Sequence, residues 1–380
     1  MSDYQQILAI SNKIQKEYSL CDNCLGRLFS KQLHLTSNKL LGKKIQKANS
    51  NQKCFICKNL FDHLNFFLNL MLVESKEYCF STFSVGAIVK PSIIDRDDVI
   101  RSKYKLKGID SIKTDITKEL GKLFSKKTKK KINFLDPDAT FTINLKDESC
   151  QLRTKSITLF GRYVKTSRLL LQKQKSCLNC LGKGCRMCNF HGISEFDSVE
   201  GLISKFLFEQ YGGTTAKFTW IGGEDKSSLV LGSGRPFFVK LQNPSKRNLT
   251  HSSVVFDSLK ISQFKIVSKS PTQPLKFQSS IKMKISANSK INNDHLSKLN
   301  ELLLAPIVIY EKSGRRVEKK ISSLKYDKNS PNDFFLFITT EGGFPVKRFV
   351  SSNDVVPGVS RLLDMDCICQ EFDFLDIEIK

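Results

Sequence analysis

Three features that would place this chain in familiar protein classes are missing from its sequence. The longest apolar run, Leu302 to Ile309, contains Pro306 and is far too short to cross a bilayer. The first residues, Met1 to Gln6, are polar, so no signal peptide is expected. No G-x-G-x-x-G loop follows a predicted strand, which argues against a nucleotide cofactor. We therefore predict a cytoplasmic protein with no organic cofactor, no membrane partner and no obligate protein partner.

Acidic residues are scarce relative to basic ones. The 61 lysines and arginines outnumber the 37 aspartates and glutamates, and the formal net charge of +24 is spread along the whole chain. A basic excess of this kind favours a polyanionic partner such as RNA, DNA or an anionic membrane over merely solvated lysine faces. With 380 residues, of which 40% are hydrophobic, the chain is long enough for two or three domains with separate cores.

Eight of the twelve cysteines form four Cys-x-x-Cys pairs, and without an export signal these thiols are expected to be reduced. Two such pairs supply the four thiolates of a closed tetrahedral zinc site, which is structural because it leaves no position for water. Buried cysteines without metal are the alternative, and the spacing leaves pairing between the quartets open. The predicted metal ligands are Cys21, Cys24, Cys54, Cys57, Cys177, Cys180, Cys185 and Cys188.

The apolar periodicity changes along the chain and predicts an α+β protein. Tyr4, Ile7 and Ile14 recur at helical spacing before the first cysteine pair. Helix and strand patterns then alternate, as in a small α/β domain, and strands dominate the C-terminal half as in an antiparallel sheet. The predicted parts are a zinc-binding helical module, a small α/β domain, a zinc-knuckle linker and a strand-rich C-terminal domain, over residues 1–75, 76–172, 173–194 and 195–380.

Two basic segments are candidates for RNA contact. The first is a run of six residues with five positive charges, which can contact phosphates. In the second, an aromatic ring stands beside cations, a combination that can stack on a base and hold its phosphate. The predicted RNA-binding residues are Lys126, Lys127, Lys129, Lys130, Lys131, Arg162 and Tyr163.

The most informative stretch is TWIGGEDKSSLVLGSGRPF, residues 219–237. Alternating residues around Trp220 predict a half-buried strand, and Gly222 and Gly223 free the backbone for a tight turn beside a ligand. Asp225 follows on this bend. An ordinary hairpin turn is the alternative interpretation of the same residues, whereas the functional interpretation is a reactive carboxylate held at the end of a strand.

Five motifs in register resemble the archaeal and eukaryotic tRNA pseudouridine synthase family that modifies neighbouring T-loop uridines, positions 54 and 55. They are CDNCLGRLF, FGRYVKTSR, CLNCLGKGCRMCNFHG, GGEDKSSLVLGSGRPFFVKLQNP and TEGGFPVKRFV with PGVSRLL. The resemblance covers nearly the whole chain. It implies a zinc-bound helical module, a THUMP-like domain ending at FGRYVKTSR and a pseudouridine synthase-type catalytic domain that acts on the T-arm of tRNA.

The resemblance also implies roles for particular residues. Asp225 takes the place of the catalytic aspartate, Lys347 resembles the basic residue that pairs with it, and Arg235 lies in a substrate-facing loop. The chain has Ile281 where the family usually has a base-stacking tyrosine. The candidates to take over that contact are Trp220, Phe237 and Phe344, and a place in the core is the alternative for each. The alternative function is a non-catalytic tRNA-binding or folding factor on the same scaffold. A THUMP methyltransferase is disfavoured because the nucleotide-binding loop is missing.

Overall fold

The computed structural model describes residues 3–33, 35, 37–47, 52–248, 252–311 and 313–380. The chain divides into two compact units, Met1–Lys155 and Ser156–Lys380, each with its own buried apolar core. Within the described ranges, no helix combines the length and apolar character that a membrane crossing requires. The mixed helices and strands of the two units confirm the predicted α+β class.

The N-terminal unit combines helices with a small mixed sheet. Its sheet has the order β2-β1-β3-β4, in which β1 is parallel to both β2 and β3, while β3 and β4 are antiparallel. The short helix Leu60–His63 is of the 3-10 type and leads into α4. The other elements are α1 Asp3–Glu17, α2 Asp22–Ser30, α3 Asn38–Ile45, α4 Leu64–Glu74, β1 Thr82–Ile88, α5 Pro91–Lys103, α6 Ile112–Thr128, β2 Lys131–Ile132, β3 Ala139–Asn144 and β4 Ser149–Thr154.

Two glycines let helices α2 and α3 pack closely against each other. A Cβ atom added at Gly26 would lie 1.8 Å from the carbonyl oxygen of Asn38, and one added at Gly42 would lie 1.9 Å from that of Asp22. Any larger residue would therefore force the helices apart. Cys21 and Cys24 lie at the start of α2, and their thiols form one cluster with those of Cys54 and Cys57, which follow α3 in the sequence.

The C-terminal unit is built on a large sheet flanked by short helices. The 3-10 segments Arg186–Cys188 and Lys298–Leu303 complete its helical content. Its elements are β5 Ile157–Lys165, α7 Val199–Tyr211, β6 Ala216–Trp220, β7 Val230–Leu241, β8 Val254–Val255, β9 Leu259–Val267, β10 Phe277–Ala287, α8 Asn293–Ser297, β11 Ile307–Tyr310, β12 Arg316–Lys319, β13 Ile321–Lys328, β14 Asp333–Glu341, α9 Val346–Ser351, β15 Val355–Val356, α10 Val359–Leu363 and β16 Cys367–Ile379.

The large sheet has the order β13-β14-β10-β16-β7-β5-β9-β8, with β6 paired to β7. Its strands pair antiparallel except at its centre, where Val230 of β7 meets Phe374 of β16 in a parallel contact. A separate three-stranded sheet has the order β12-β11-β15. The loop between β6 and β7 therefore approaches the sheet where β7 meets β16.

One predicted boundary is wrong in the structure. Strand Ile157–Lys165 was expected to end the RNA-binding domain, but it pairs with β7 and β9 inside the C-terminal unit. Its residues are buried on both faces, which suits a strand in the middle of a sheet. The rest of the predicted four-part division stays a prediction.

Candidate active site

The loop between β6 and β7, residues 221–229, carries the candidate catalytic carboxylate. Gly222 adopts a left-handed backbone with a φ of +78°, and a Cβ atom there would lie 2.6 Å from Cζ of Phe277. Only glycine suits this position. Gly223 has no such requirement, because the nearest atom to an added Cβ is Oε1 of Gln172 at 3.9 Å. Gly222, and not Gly223, is therefore the glycine that the turn requires.

Asp225 is held by hydrogen bonds to both of its carboxylate oxygens. Its Oδ1 accepts from the backbone N–H of Ser227 at 2.9 Å and from the Ser227 hydroxyl at 2.7 Å. Its Oδ2 accepts from Nζ of Lys347 at 2.9 Å. The Ser227 bonds, followed by the Lys347 ammonium, lower the pKa of Asp225 to about 2. The side chain is 34% exposed, so this ionised carboxylate is open to a ligand.

Lys347 reaches Asp225 from helix α9, whose buried residues Phe349 and Val350 fix the helix on the core. Its side chain is half exposed, and its ammonium lies 6.0 Å from the ring centroid of Phe372 on β16. The residues are 122 positions apart in sequence. The structure therefore brings together the two residues that the resemblance paired.

A buried ionic network lies beneath this loop, and the sequence did not reveal it. The side chain of Glu224 is fully buried, and its carboxylate lies 3.1 Å from Nζ of Lys165 and 3.3 Å from Nε of Arg235. Nζ of Lys165 also donates to the backbone carbonyl of Asp225 at 3.3 Å. The two adjacent acids therefore differ: the side chain of Glu224 anchors the loop to the interior, and the side chain of Asp225 is accessible from solvent.

Arg235 belongs to this network, so its expected substrate-facing placement is wrong. The residue is completely buried, and its Nη1 donates to the carbonyl of Ile221 at 2.9 Å. Its guanidinium lies 4.4 Å from the ring centroid of Phe374. Arg235 supports the loop from inside the protein, where its side chain has no exposed surface for a substrate.

Arg162 and Tyr163 are also buried, which corrects their prediction as RNA-stacking residues. The Tyr163 hydroxyl donates to Glu224 at 2.9 Å, and burial raises the pKa of Tyr163. Arg162 donates to the carbonyls of Ser233 at 2.8 Å and Gly234 at 2.9 Å. Both side chains are used inside the unit because strand β5 occupies a central position in the sheet.

The far end of the loop is braced from strand β16. Arg168 makes a bidentate pair with Asp373 at 2.8 and 3.0 Å, and it also donates to the carbonyl of Ser227. Asp373 in turn accepts from the backbone N–H of Leu229 at 2.9 Å. With both ends held, the loop presents Asp225 in a fixed position.

Replacing Glu224 with glutamine tests the anchoring role. The change leaves Lys165 and Arg235 buried without a counter-charge, so we expect the free energy of unfolding to fall by about 3–5 kcal/mol. Urea denaturation of the C-terminal unit's transition in the full chain measures this. The control is Glu371→Gln, which removes a half-exposed pair to Arg168 and is expected to cost at most about 1 kcal/mol. Equal losses in both variants would contradict the anchoring role.

The predicted lysine cluster lies at the end of helix α6. Lys126, Lys127, Lys129 and Lys131 are exposed and stay candidates for phosphate contact. Lys130 differs, because its Nζ donates to the carbonyl of Phe80 at 2.6 Å and lies 4.1 Å from that residue's ring centroid. Lys130 therefore has a structural contact that the other four lysines do not show, and its RNA-binding role stays a prediction.

Ile281 lies in the core on β10, where its side chain offers no stacking face. Trp220 is partly exposed and stacks on Phe218 with ring centroids 4.8 Å apart. Phe237 is fully buried. Trp220 is therefore more accessible than Phe237, although its stacking on Phe218 ties it to the sheet.

The eight predicted cysteine ligands form two clusters, each made of its own two pairs. In each cluster the four sulfur atoms lie within 4.8 Å of one another. Zinc–sulfur bonds of about 2.3 Å in a tetrahedron place sulfurs about 3.8 Å apart, so both clusters fit such a centre. The thiols of Cys21 and Cys57, for example, are 3.6 Å apart. The quartets are not cross-paired.

Comparison with known protein families tests the family assignment that the sequence motifs predict. The description "Pus10, C-terminal" matches residues 158–378, more than half of the chain, and "Pus10 THUMP domain, archaeal" matches residues 67–144. The chain belongs to the Pus10 family. The predicted family is thereby confirmed, and the first match begins with β5, as the structural boundary does.

Relatives in this family carry one common name. A protein of Nitrosopumilus maritimus named tRNA pseudouridine synthase Pus10 is 65% identical, and the match covers 100% of both chains. Proteins with the same name from Cenarchaeum symbiosum and Methanocaldococcus jannaschii are 35% and 28% identical, covering 96% and 97% of this chain and 91% and 94% of theirs. All three relatives match this chain over nearly their whole length, and all three are named for the activity that the sequence motifs predict.

Proposed function

We propose that this chain is a tRNA pseudouridine synthase that converts uridine 54, uridine 55 or both in the T-loop to pseudouridine. The observation that carries the proposal is the ionised, partly exposed Asp225 paired with Lys347 on a loop anchored from beneath. The names of its Pus10 relatives support the same activity. The exposed lysines and the net charge of +24 support a tRNA partner in the cytoplasm.

The reaction is an isomerisation, so the atoms balance without an oxidant or a second substrate. The bond between C1′ of ribose and N1 of uracil breaks, the base rotates, and C1′ joins C5. The proton of C5 is released, and N1 ends with a proton. A carboxylate can attack C1′ or remove the proton at C2′. Both routes need Asp225 in its ionised form, which the Ser227 and Lys347 contacts favour.

Two T-arm transcripts, each with one of the two neighbouring uridines replaced by cytidine, test the position. We expect carbodiimide treatment followed by primer extension to reveal pseudouridine at the remaining uridine of at least one transcript. Binding of both transcripts without any product would instead support the non-catalytic tRNA-binding factor. A 2′-deuterium isotope effect on the single-turnover rate would assign the route through C2′.

Because the pKa of Asp225 is low, we expect the reaction rate not to fall as the pH is lowered from 8 to 5. A carboxyl with a pKa of about 2 stays ionised as the pH falls from 8 to 5, so its protonation cannot slow the reaction in that range. Because folding lowers this pKa, ionised Asp225 also adds to the free energy of unfolding. This contribution is complete above the unfolded-state pKa of about 3.9 and disappears as the pH falls towards 2. Single-turnover rates across the range measure this, and an acid limb that Ser227→Ala moves to higher pH would contradict the prediction.

The exposed lysine cluster predicts a salt effect. If Lys126, Lys127, Lys129 and Lys131 each contact a phosphate, replacing all four with alanine makes the negative slope of log affinity against log salt shallower by about 3–4. Fluorescence titration of labelled tRNA at several salt concentrations measures the slope. An unchanged slope would remove the cluster from the RNA interface.

A further inference from the structure

The segment from Arg168 to Gly192 has an unusual composition and conformation. It contains five lysines and arginines and no aspartate or glutamate. Six of its large apolar side chains are nevertheless 44–89% exposed. We call this set the apolar surface: Leu169, Leu171, Leu178, Leu181, Met187 and Phe190.

The backbone itself holds part of this surface outward. Among the residues that the structure describes, positive φ angles at large apolar residues occur only at Leu169, Leu181 and Phe190, with values of 70°, 50° and 62°. Such angles are disfavoured for bulky side chains and cost about 1–2 kcal/mol each. All three residues belong to the apolar surface. The residues that adopt a disfavoured backbone conformation are therefore also residues that expose a large apolar side chain.

The surface begins beside the candidate active site. The backbone N–H of Leu169 donates at 2.7 Å to the carbonyl of Lys226, the residue after Asp225. Neighbouring residues of the segment point inward, since Leu170 packs against the core and Gln172 donates to the carbonyl of Gly222 at 3.2 Å. The segment thus braces the loop with its inner residues and leaves its leucines outside.

The surface ends on the C-terminal cysteine cluster. A knuckle closed by four thiols has no interior for large side chains, which explains why these side chains point outward but not why they are apolar. His191 fixes the knuckle to the unit, because its ring stacks on Phe208 at 3.8 Å and its Nδ1 contacts the carbonyl of Thr214 at 3.0 Å. The exposed residues are therefore displayed on a supported structure.

We propose that the apolar surface binds unpaired nucleotides of the RNA that Asp225 modifies. Unstacked bases offer apolar faces to leucine, methionine and phenylalanine side chains, while the phosphates pair with cations. Four exposed cations accompany the surface, namely Lys173, Lys175, Lys183 and Arg186, whereas Arg168 is already paired with Asp373 and Glu371. A zinc ion held by four thiolates would add about two negative charges and still leave the segment positive. The same charge disfavours a second copy of this chain as the occupant.

This inference rests on the proposed function for the identity of the RNA, and its test measures binding separately from chemistry. The variant Leu181→Gly/Phe190→Gly in the full chain removes two apolar groups at positions where glycine suits the backbone. We expect its thermal stability to be at least that of the wild type. We expect its affinity for a fluorescein-labelled single-stranded oligoribonucleotide and for the T-arm transcript to fall about 10-fold or more.

Matched leucines provide the control. Leu178 and Leu304 are 89% and 83% exposed in the same unit, but only Leu178 lies on the apolar surface. Leu178→Ala is expected to weaken RNA binding, and Leu304→Ala is expected to leave it unchanged. Wild-type affinity in the double glycine variant, or equal losses in the two leucine variants, would overturn the inference. An acidic protein would then be the remaining candidate partner for the surface.

The same experiments separate this inference from the proposed function. If the surface variants lose RNA binding but the wild type forms no pseudouridine, the proposed function fails and this inference stands.

Discussion

Replacing Asp225 with asparagine is expected to lower the rate of pseudouridine formation by at least about 10³-fold while tRNA binding is retained. The amide keeps the size of the side chain and can still accept hydrogen bonds from Ser227. It lacks the negative charge that either attack at C1′ or proton removal at C2′ requires. Single-turnover primer extension on the T-arm transcript, with affinity measured in parallel, gives both quantities.

Helix α9 supplies a matched control for this substitution. Arg348, the residue after Lys347, pairs with Asp354, and both side chains of that pair are about as exposed as those of Asp225 and Lys347. Asp354→Asn therefore removes a similar ion pair from the same helix without touching the β6–β7 loop, and we expect activity close to that of the wild type. Comparable activity in the Asp225 and Asp354 variants would show that Asp225 is not catalytic.

Replacing Cys21 with serine is expected to remove one of two zinc ions and to destabilise the N-terminal unit strongly. Binding of structural zinc contributes about 10–16 kcal/mol to the folding of small zinc-finger peptides, so loss of a ligand is expected to cost several kcal/mol. Each kcal/mol shifts the Tm of a unit of this size by about 2–4 °C, which predicts a decrease of about 10 °C or more. Metal analysis and thermal melting of the full chain measure the two effects.

Cys79 is the control for this prediction, because it is an exposed cysteine of the same unit that lies outside both clusters. Cys79→Ser is expected to keep the wild-type metal content and Tm. A wild-type protein that is purified without chelators and contains no zinc would contradict the metal assignment. Variant protein that stays folded should retain its chemistry, since a closed centre of four cysteines has no open position for substrate.

The cysteine clusters show how much local spacing can determine. A two-residue spacer places both thiols of a pair on one side of a turn, so each pair was identifiable as half of a metal site. The choice between pairing within and between quartets was open, because it depends on where α2 and α3 bring the chain. In the structure the four thiols of each quartet lie together, so the pairs combine within quartets and not between them.

The loop around Asp225 shows where sequence patterns fail. Glu224 and Asp225 are adjacent acids with equal local signals, yet the side chain of one is fully buried and that of the other is partly exposed. Arg162, Tyr163 and Arg235 were all expected to contact RNA, and all three are buried. Their polarity suggested an exposed position, but buried polar groups are tolerated when opposite charges and hydrogen-bond partners lie next to them, as Glu224 does here.

The sequence alone determined the family, the two sets of candidate metal ligands, the basic character and the identity of the candidate catalytic acid, because each of these depends on residue types that the sequence shows directly. Only the tertiary structure decided which charged residues anchor the loop, that Lys347 reaches Asp225, and that the apolar surface lies outside. Those outcomes depend on strands far apart in sequence, whose pairing determines which side chains the sheet buries and which it leaves in solvent.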